Sequence, residues 1–388
     1  VTTIAAVGLT KVGAMQTTGL AITGTGVWTP PDIITNEELC EAFNEFVRRE
    51  NRRNADAIER GDQKPLQESS PEFILKASGI EQRHVHDKTG LLDPDRMCPN
   101  VPDRPEEEMS VQCEYAVNAA RLALAKAGRV GEEIDMVLLS GSNLQRPYPQ
   151  IAMEVQEAIG ARGFAYDLLA GCSSATFPIQ IASDALRAGS ASKALLVNPE
   201  MTTGHMNWRD RDSHFIFGDA ATAIVIEPVS EAKEGGWEIV STRLMSKFSS
   251  NIRNNGGYLD RCDPDTQFSD SKLFHQKGRR VFKDVVPMAS TYIREHLESV
   301  GLTPDKVTRF WLHQANRNMN ELIMKYLIGA PASRELAPLI LDTYANTASA
   351  GSIIAFNNHS DDLASGDIGI LCSFGAGYSI GSVIVRKL

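Results

Sequence analysis

The chain has 388 residues, 42% hydrophobic and 23% charged, with a formal net charge of −10. That length is more than one compact core ordinarily uses and calls for two domains or two fused halves. The acidity argues against non-specific nucleic-acid binding, and no apolar run approaches the roughly 20 residues needed to span a bilayer. Residues 1–18 lack the basic segment and compact apolar stretch of a secretory signal and read as an N-terminal extension. Cysteines stand at 40, 98, 113, 172, 262 and 372, with no C-x-x-C pair and no metal-ligand rhythm. This predicts reduced thiols in the cytoplasm, without a disulfide framework or a metal site.

In chain order, residues 47–68 are dense in charge and 87–109 are rich in Asp, Pro and Glu. Both read as solvated surface insertions; the sharper alternative is that they cap a substrate tunnel or extend a dimer interface. Apolar residues recur at helical spacing over 111–127, 151–159, 177–186, 281–297 and 317–327. Strand-like runs alternate with them, among them 194–197 and 368–371. The alternation predicts an α/β layered fold with central, mostly parallel sheets. Pro228, a charge cluster and Gly235-Gly236 mark a linker between 227 and 236.

The two sides of that linker echo each other. Ile134–Asn143 and Val307–Asn316 are apolar strands with polar tails, and aligning them sets Ser140 against His313. Tyr166–Ala175 echoes Asp342–Gly351, setting Cys172 against Asn346. Ser140 to Cys172 is 32 residues and His313 to Asn346 is 33. A third pair, Phe217–Ile226 and Phe374–Val385, is in each case a Gly/Ala-rich turn entering a β-branched strand. Three pairs in one order predict a duplicated fold, with halves 19–228 and 229–388.

Cys172 lies at a strand-to-helix corner, where the helix N-terminus is expected to favour thiolate over thiol. Gly171 and the small residues after it permit close approach of a thioester. Pro178, six residues on, is expected to kink the first turns of the helix. His313 ends a strand and Asn346 sits in a small-residue turn, both leading into helices. Alone, each has an ordinary reading: a small buried hydrophobe, a satisfied polar group, a helix cap. Pseudo-symmetry brings the strand ends to one interface, and together the three suit covalent thioester chemistry.

With Gly171-Cys172, Phe-Gly-Asp-Ala-Ala (217–221), His-Gln-Ala-Asn (313–316), Tyr-Ala-Asn-Thr (344–347) and Phe-Gly-Ala-Gly-Tyr (374–378) in this order, the chain resembles the β-ketoacyl-[acyl carrier protein] synthase III family of the thiolase superfamily. Gly-Thr-Gly-Val-Trp-Thr-Pro-Pro (24–31) and Ser-Gly-Ile-Glu-Gln-Arg-His (78–84) fit it too, so the likeness runs from about residue 19 to the end. The resemblance implies a thiolase-like αβαβα fold and a cytoplasmic homodimer that needs no metal or redox cofactor. It implies acylation of Cys172 by an acyl-CoA, then decarboxylative condensation with a malonyl group on acyl carrier protein. By motif position, the Cys172 and Ala376 backbone N–H groups form the oxyanion hole, while His313 and Asn346 donate to the malonyl thioester carbonyl.

The resemblance also assigns binding residues. Phe73 stands where the family has a tryptophan on the CoA adenine, with Arg211 on the far side of that ring. Asn316 matches the pantetheine tunnel, and Phe217 and Tyr148 match positions near the acyl pocket; Phe374 is the aromatic of the last turn. Ala77 replaces a second CoA-contacting arginine, and the last turn reads Gly-Ala-Gly in place of three glycines. Lys277, Arg279, Arg280 and Lys283 open a helix and are expected to dock the acidic carrier. The insertions suggest a donor longer than acetyl. A thiolase would need a second catalytic cysteine, but Cys372 is one residue out of register with that position, which Ser373 holds. The remaining alternatives are a non-decarboxylating condensing enzyme or O-acyltransferase of this fold and, from another class, a silent chain-length or scaffold partner.

Overall fold

The structure is a computed structural model and describes residues 19–232 and 235–388; the N-terminal extension lies outside the described residues, as do 233–234 of the linker. The sheet strands are β1 (Leu20–Trp28), β2 (Met136–Gly141), β3 (Phe164–Leu169), β4 (Ala194–Glu200) and β5 (Ala220–Pro228), then β6 (Trp237–Ser249), β7 (Arg309–Leu312), β8 (Ile368–Gly375) and β9 (Gly377–Lys387). The longer helices are α1 (Asn36–Arg53), α2 (Pro71–Ser78), α3 (Val111–Ala127), α4 (Ile151–Ile159) and α5 (Thr176–Arg187), followed by α6 (Gly278–Ser299), α7 (Arg317–Ile328) and α8 (Ala350–Asn358).

The strands run in the order β7-β8-β9-β6-β1-β5-β4-β2-β3, so the two sides of the chain repeat one arrangement outward from the β1–β6 junction. Ala21 and Ile22 pair there with Glu238 and Trp237. β7 takes the place of β2, β8 of β4 and β9 of β5, which is the duplication read from the sequence. β3 has no strand counterpart: the matching segment is the single helical turn Leu341–Tyr344 and the loop holding Asn346.

Helices α5 and α8 lie in the centre, where Ile179, Ala182 and Leu186 share one core with Ile353 and Phe356 and with strand residues of both halves such as Leu196 and Leu371. α3 and α4 cover the outer face of the first half, and α6 and α7 that of the second. The result is the αβαβα layering. The pairing, however, is not mostly parallel. β7–β8, β2–β3 and β2–β4 are parallel, while β1–β5, β1–β6, β8–β9, β6–β9 and β4–β5 are antiparallel. One intervening residue, Ala376, separates β8 from β9, too few for the crossover that parallel strands require.

Two local expectations change. α5 begins at Thr176, so Pro178 falls in its first turn, where a backbone N–H would have no helical partner to lose. The charged segment 47–68 is partly helix. α1 runs to Arg53 over the buried stripe Leu39, Phe43 and Val47, and Arg48 and Arg49 pair with Glu45 on its outer face.

Candidate active site

A cavity of about 630 Å³ opens between the halves, and Cys172, His313 and Asn346 all line it. Each is delivered by backbone geometry. Cys172 is in the short 3₁₀ turn Gly171–Ser173 between β3 and α5, with Gly171 at φ +54°. That turn is fastened from below: Asn198 Nδ2 donates to the Ser174 carbonyl at 2.7 Å and to the Ser140 carbonyl at 3.0 Å. From the other half, Ser379 Oγ lies 2.9 Å from Ser173 Oγ and donates to the Ala376 carbonyl at 3.0 Å, tying the last turn to the nucleophile turn. A side chain on Gly375 would put its Cβ 2.5 Å from Cys172 Cβ and 2.7 Å from Sγ, so this approach requires glycine.

His313 directly follows β7, is 2% exposed and packs edge-on to Phe374 with ring centroids 5.3 Å apart. Burial pushes its imidazole down to about 4 against an opposing backbone contact from Ala348. Above that pH the ring is neutral and carries a single N–H. Asn346 is drawn across the interface by backbone pairing with the Phe217 turn: Asn346 N–H donates to the Ile216 carbonyl at 3.0 Å, and Gly218 N–H to the Asn346 carbonyl at 3.1 Å. A Cβ on Gly218 would lie 2.6 Å from the Tyr344 carbonyl oxygen. The Ala348 N–H donates to Asn346 Oδ1 at 2.9 Å, which fixes the amide orientation and leaves its NH₂ as the free donor. Ala345 and Ala348 hold φ +55° and +46°, a backbone region that disfavours non-glycine residues and collects at functional sites.

Burial acts against the thiolate-favouring effect expected of the helix N-terminus in the free protein. Cys172 keeps partial exposure to the cavity, yet dehydration by its surroundings pushes the thiol up to about 11. The backbone N–H groups of Ala376 and of Cys172 itself pull it down, and buried Glu200 pushes it further up. Those two N–H groups are the pair named for the oxyanion hole. Cys372 is fully buried in the outer core of the second half and burial raises its thiol, whereas its neighbour Leu371 belongs to the central core. The strand alternation thus turns Cys372 away from the cavity, and Ser373 Oγ is 2.9 Å from Ser352 Oγ.

Phe73, Phe217, Asn316, Phe374 and Arg279 also line the cavity. The amide of Asn316 is already engaged: Oδ1 caps α7 through Asn318 N–H at 2.9 Å, and Nδ2 donates to the Ala77 carbonyl at 2.6 Å. The Arg211 guanidinium lies over the Phe73 ring at 4.1 Å, so the two must separate for an adenine to sit between them. Tyr148 is 78% exposed and not among the lining residues, which corrects its placement near the acyl pocket of its own chain. Neither 47–68 nor 87–109 contributes to the lining, so neither caps the cavity as expected of a tunnel lid. Lys277, Arg279, Arg280 and Lys283 are exposed at the start of α6, and none forms a salt bridge among the described residues. The sequence reading missed the apolar walls Ile252, Phe274, Phe282 and Val285. It also missed Arg83, fully buried, which donates to Asn36 Oδ1 at 2.8 Å beneath the cavity-lining Phe215.

A thiol, two backbone donors aimed at it, an imidazole and an oriented carboxamide in one cavity between duplicated halves define a condensing enzyme of the thiolase fold. Family profiles described as 3-oxoacyl-[acyl-carrier-protein] synthase III and its C-terminal domain match residues 166–247 and 297–387. Similar proteins include the β-ketodecanoyl-[acyl-carrier-protein] synthase of Pseudomonas aeruginosa PAO1, 56% identical over 89% of this chain and 99% of that one. The β-ketoacyl-[acyl-carrier-protein] synthase III of Brucella canis is 30% identical over 82% of this chain and 91% of its own. Among solved structures, 3-oxoacyl-[acyl-carrier-protein] synthase III of Aquifex aeolicus superposes with a TM-score of 0.73 at 25% identity, covering 95% of this chain and 100% of that one. The chain belongs to the β-ketoacyl-[acyl carrier protein] synthase III family. It is an acyltransferase that carries out a decarboxylative condensation in fatty acid biosynthesis. Among the described residues no helix is long and apolar enough to cross a membrane.

Proposed function

We propose that this chain elongates a medium-chain acyl-CoA, of about eight carbons, with Cys172 as nucleophile and His313 and Asn346 as the decarboxylation donors. The observation that carries the residue roles is the single cavity that all three line, and its apolar walls suit an alkyl chain. Donor length is supported by the relative named for a ten-carbon product, since condensation adds two carbons. Competing acetyl-, butyryl-, octanoyl- and dodecanoyl-CoA for acylation should yield mainly the octanoyl adduct. Equal use of acetyl-CoA would refute a medium-chain donor.

In the first half-reaction the Cys172 sulfur attacks the thioester carbonyl, and the Cys172 and Ala376 N–H groups hold the oxyanion. The C–S bond to CoA then breaks, and CoA leaves with the proton. In the second, neutral His313 and the Asn346 NH₂ donate to the malonyl thioester carbonyl. The C–CO₂⁻ bond breaks, and the resulting enolate attacks the acyl-cysteine carbonyl, expelling Cys172 thiolate. Phe73 and Arg211 take the CoA adenine after parting, while Phe217 and Phe374 bound the reacting groups. Asn316 contributes to the tunnel wall.

The four cations at the start of α6 dock the carrier. Lys277, Arg279 and Arg280 stand at or in the first turn of the helix, where cations oppose the macrodipole, so helix stability does not account for them. Reversing Arg280 and Lys283 to Glu should raise the KM for malonyl-carrier by about tenfold or more and spare self-acylation. Parallel loss of both activities would show misfolding in place of a docking role.

Residues 19–228 and 229–388 are the two fused halves. The chain works as a homodimer: β3 ends the sheet with an unpaired edge, and its Phe164 and Leu169 are exposed, as is Tyr148. Phe164→Asp should shift sedimentation from dimer toward monomer; a parent chain sedimenting as a monomer contradicts the assignment. All six cysteines are free, which suits the reducing cytoplasm where acyl-CoA is used.

A further inference from the structure

Glu200 ends β4 in the first half, is 1% exposed and takes part in no salt bridge among the described residues. A buried carboxylate without a cation is costly and persists only when its oxygens are fully hydrogen-bonded. Here four donors converge on it. Ser142, just after β2 in the same half, donates its N–H at 3.1 Å and its hydroxyl at 2.5 Å. Ser349, in the second half, donates its N–H at 3.1 Å and also its hydroxyl.

The second-half contact falls at a sensitive point. Ser349 directly follows Ala348, whose N–H fixes the Asn346 amide and whose backbone meets His313. Ala348 itself holds φ +46°, a conformation that surrounding contacts must maintain. Glu200 does not line the cavity and touches no substrate position. We infer that Glu200 is a positioning residue: its carboxylate clamps the Asn346–Ser349 loop of the second half onto the first, so that the Asn346 and His313 donors meet the malonyl carbonyl over Cys172.

This inference rests on the roles given above to Asn346 and His313, and its test separates the two. Glu200→Gln keeps the shape but substitutes an NH₂ donor for one acceptor oxygen, facing four donors. Displacing catalytic donors by a fraction of an ångström to an ångström costs up to about 100-fold in rate. The expected result is that kcat for condensation with malonyl-carrier falls by about that factor, with KM nearly unchanged. Acylation of Cys172 by acyl-CoA should stay within about threefold, because the oxyanion donors lie on other segments. Ser349→Ala, which removes the hydroxyl bond of the second-half arm and keeps its backbone N–H bond, should reproduce part of the condensation loss, and Ser142→Ala should produce less of it.

A Glu200→Gln enzyme with condensation within threefold of the parent overturns the proposal, as does equal loss of acylation and condensation. If Glu200→Gln does not fold, the Ser349→Ala and Ser142→Ala pair decides by the same criterion: equal effects of the two overturn the clamp. Asn346→Ala is measured alongside. Full condensation by that variant would refute the role of Asn346 itself, whereas its loss with an intact Glu200→Gln enzyme would refute only the clamp.

Discussion

Asn346→Ala and His313→Ala each lower condensation of a preloaded acyl-enzyme with malonyl-carrier by about 100- to 1,000-fold, and CoA release in the first half-reaction stays near that of the parent. The magnitude is that of one lost donor to a developing oxyanion, about 3–4 kcal/mol, with each 1.36 kcal/mol a factor of ten. The asymmetry follows from position. Asn346 offers only its NH₂ because its oxygen is held by the Ala348 N–H, and His313 is neutral above pH about 4. In the proposed mechanism neither group holds the oxyanion of acylation, which is assigned to the Ala376 and Cys172 N–H groups. The checks are rapid-quench measurement of CoA release and of labelled CO₂ from malonyl-carrier. Equal loss in both half-reactions would assign these residues to acylation or to the fold instead.

Gly375→Ala disables the first half-reaction. The added methyl would lie 2.5 Å from Cys172 Cβ and 2.7 Å from its sulfur, and both partners are anchored, Gly375 in β8 and Cys172 in a turn tied down by Asn198 and Ser379. Relief comes only by moving the sulfur off its line to the oxyanion donors. We expect acylation to fall by about 100-fold, with a stability loss of about 1–3 kcal/mol from overpacking. A thermal melt establishes that the variant is folded, and acyl transfer from acyl-CoA measures the effect. A folded Gly375→Ala enzyme that acylates at the parent rate would show that the turn can yield.

Much of this was legible because local signals and tertiary demands agree. Helix α3 has the bounds its periodicity gave: Ser110 Oγ caps Cys113 N–H, and Gly128 closes the helix in the left-handed region. Cys172, His313 and Asn346 stood out because each sits where a strand or small-residue turn feeds a helix, and the duplicated order placed those corners together. The antiparallel majority was missed because apolar alternation of elements does not report strand direction, although the near-contact of β8 and β9 in sequence does. Residues 48–53 were read as loop because charge hides the narrow stripe Leu39, Phe43 and Val47 that continues α1 inward. The apolar cavity walls Ile252, Phe274 and Phe282, and buried Glu200, carry no local signature. They come from separate segments and acquire their roles only through packing.

Intact-mass analysis of the parent chain and of Cys172→Ala after mixing with octanoyl-CoA, followed by malonyl-carrier, tests the central claim most directly. The account predicts one octanoyl adduct per parent chain, mapped by peptide sequencing to Cys172 and absent from Cys172→Ala. Malonyl-carrier should then clear it, releasing one CO₂ and a carrier bearing a ten-carbon β-keto group. No adduct, an adduct on another residue, or an adduct that malonyl-carrier does not discharge would contradict it.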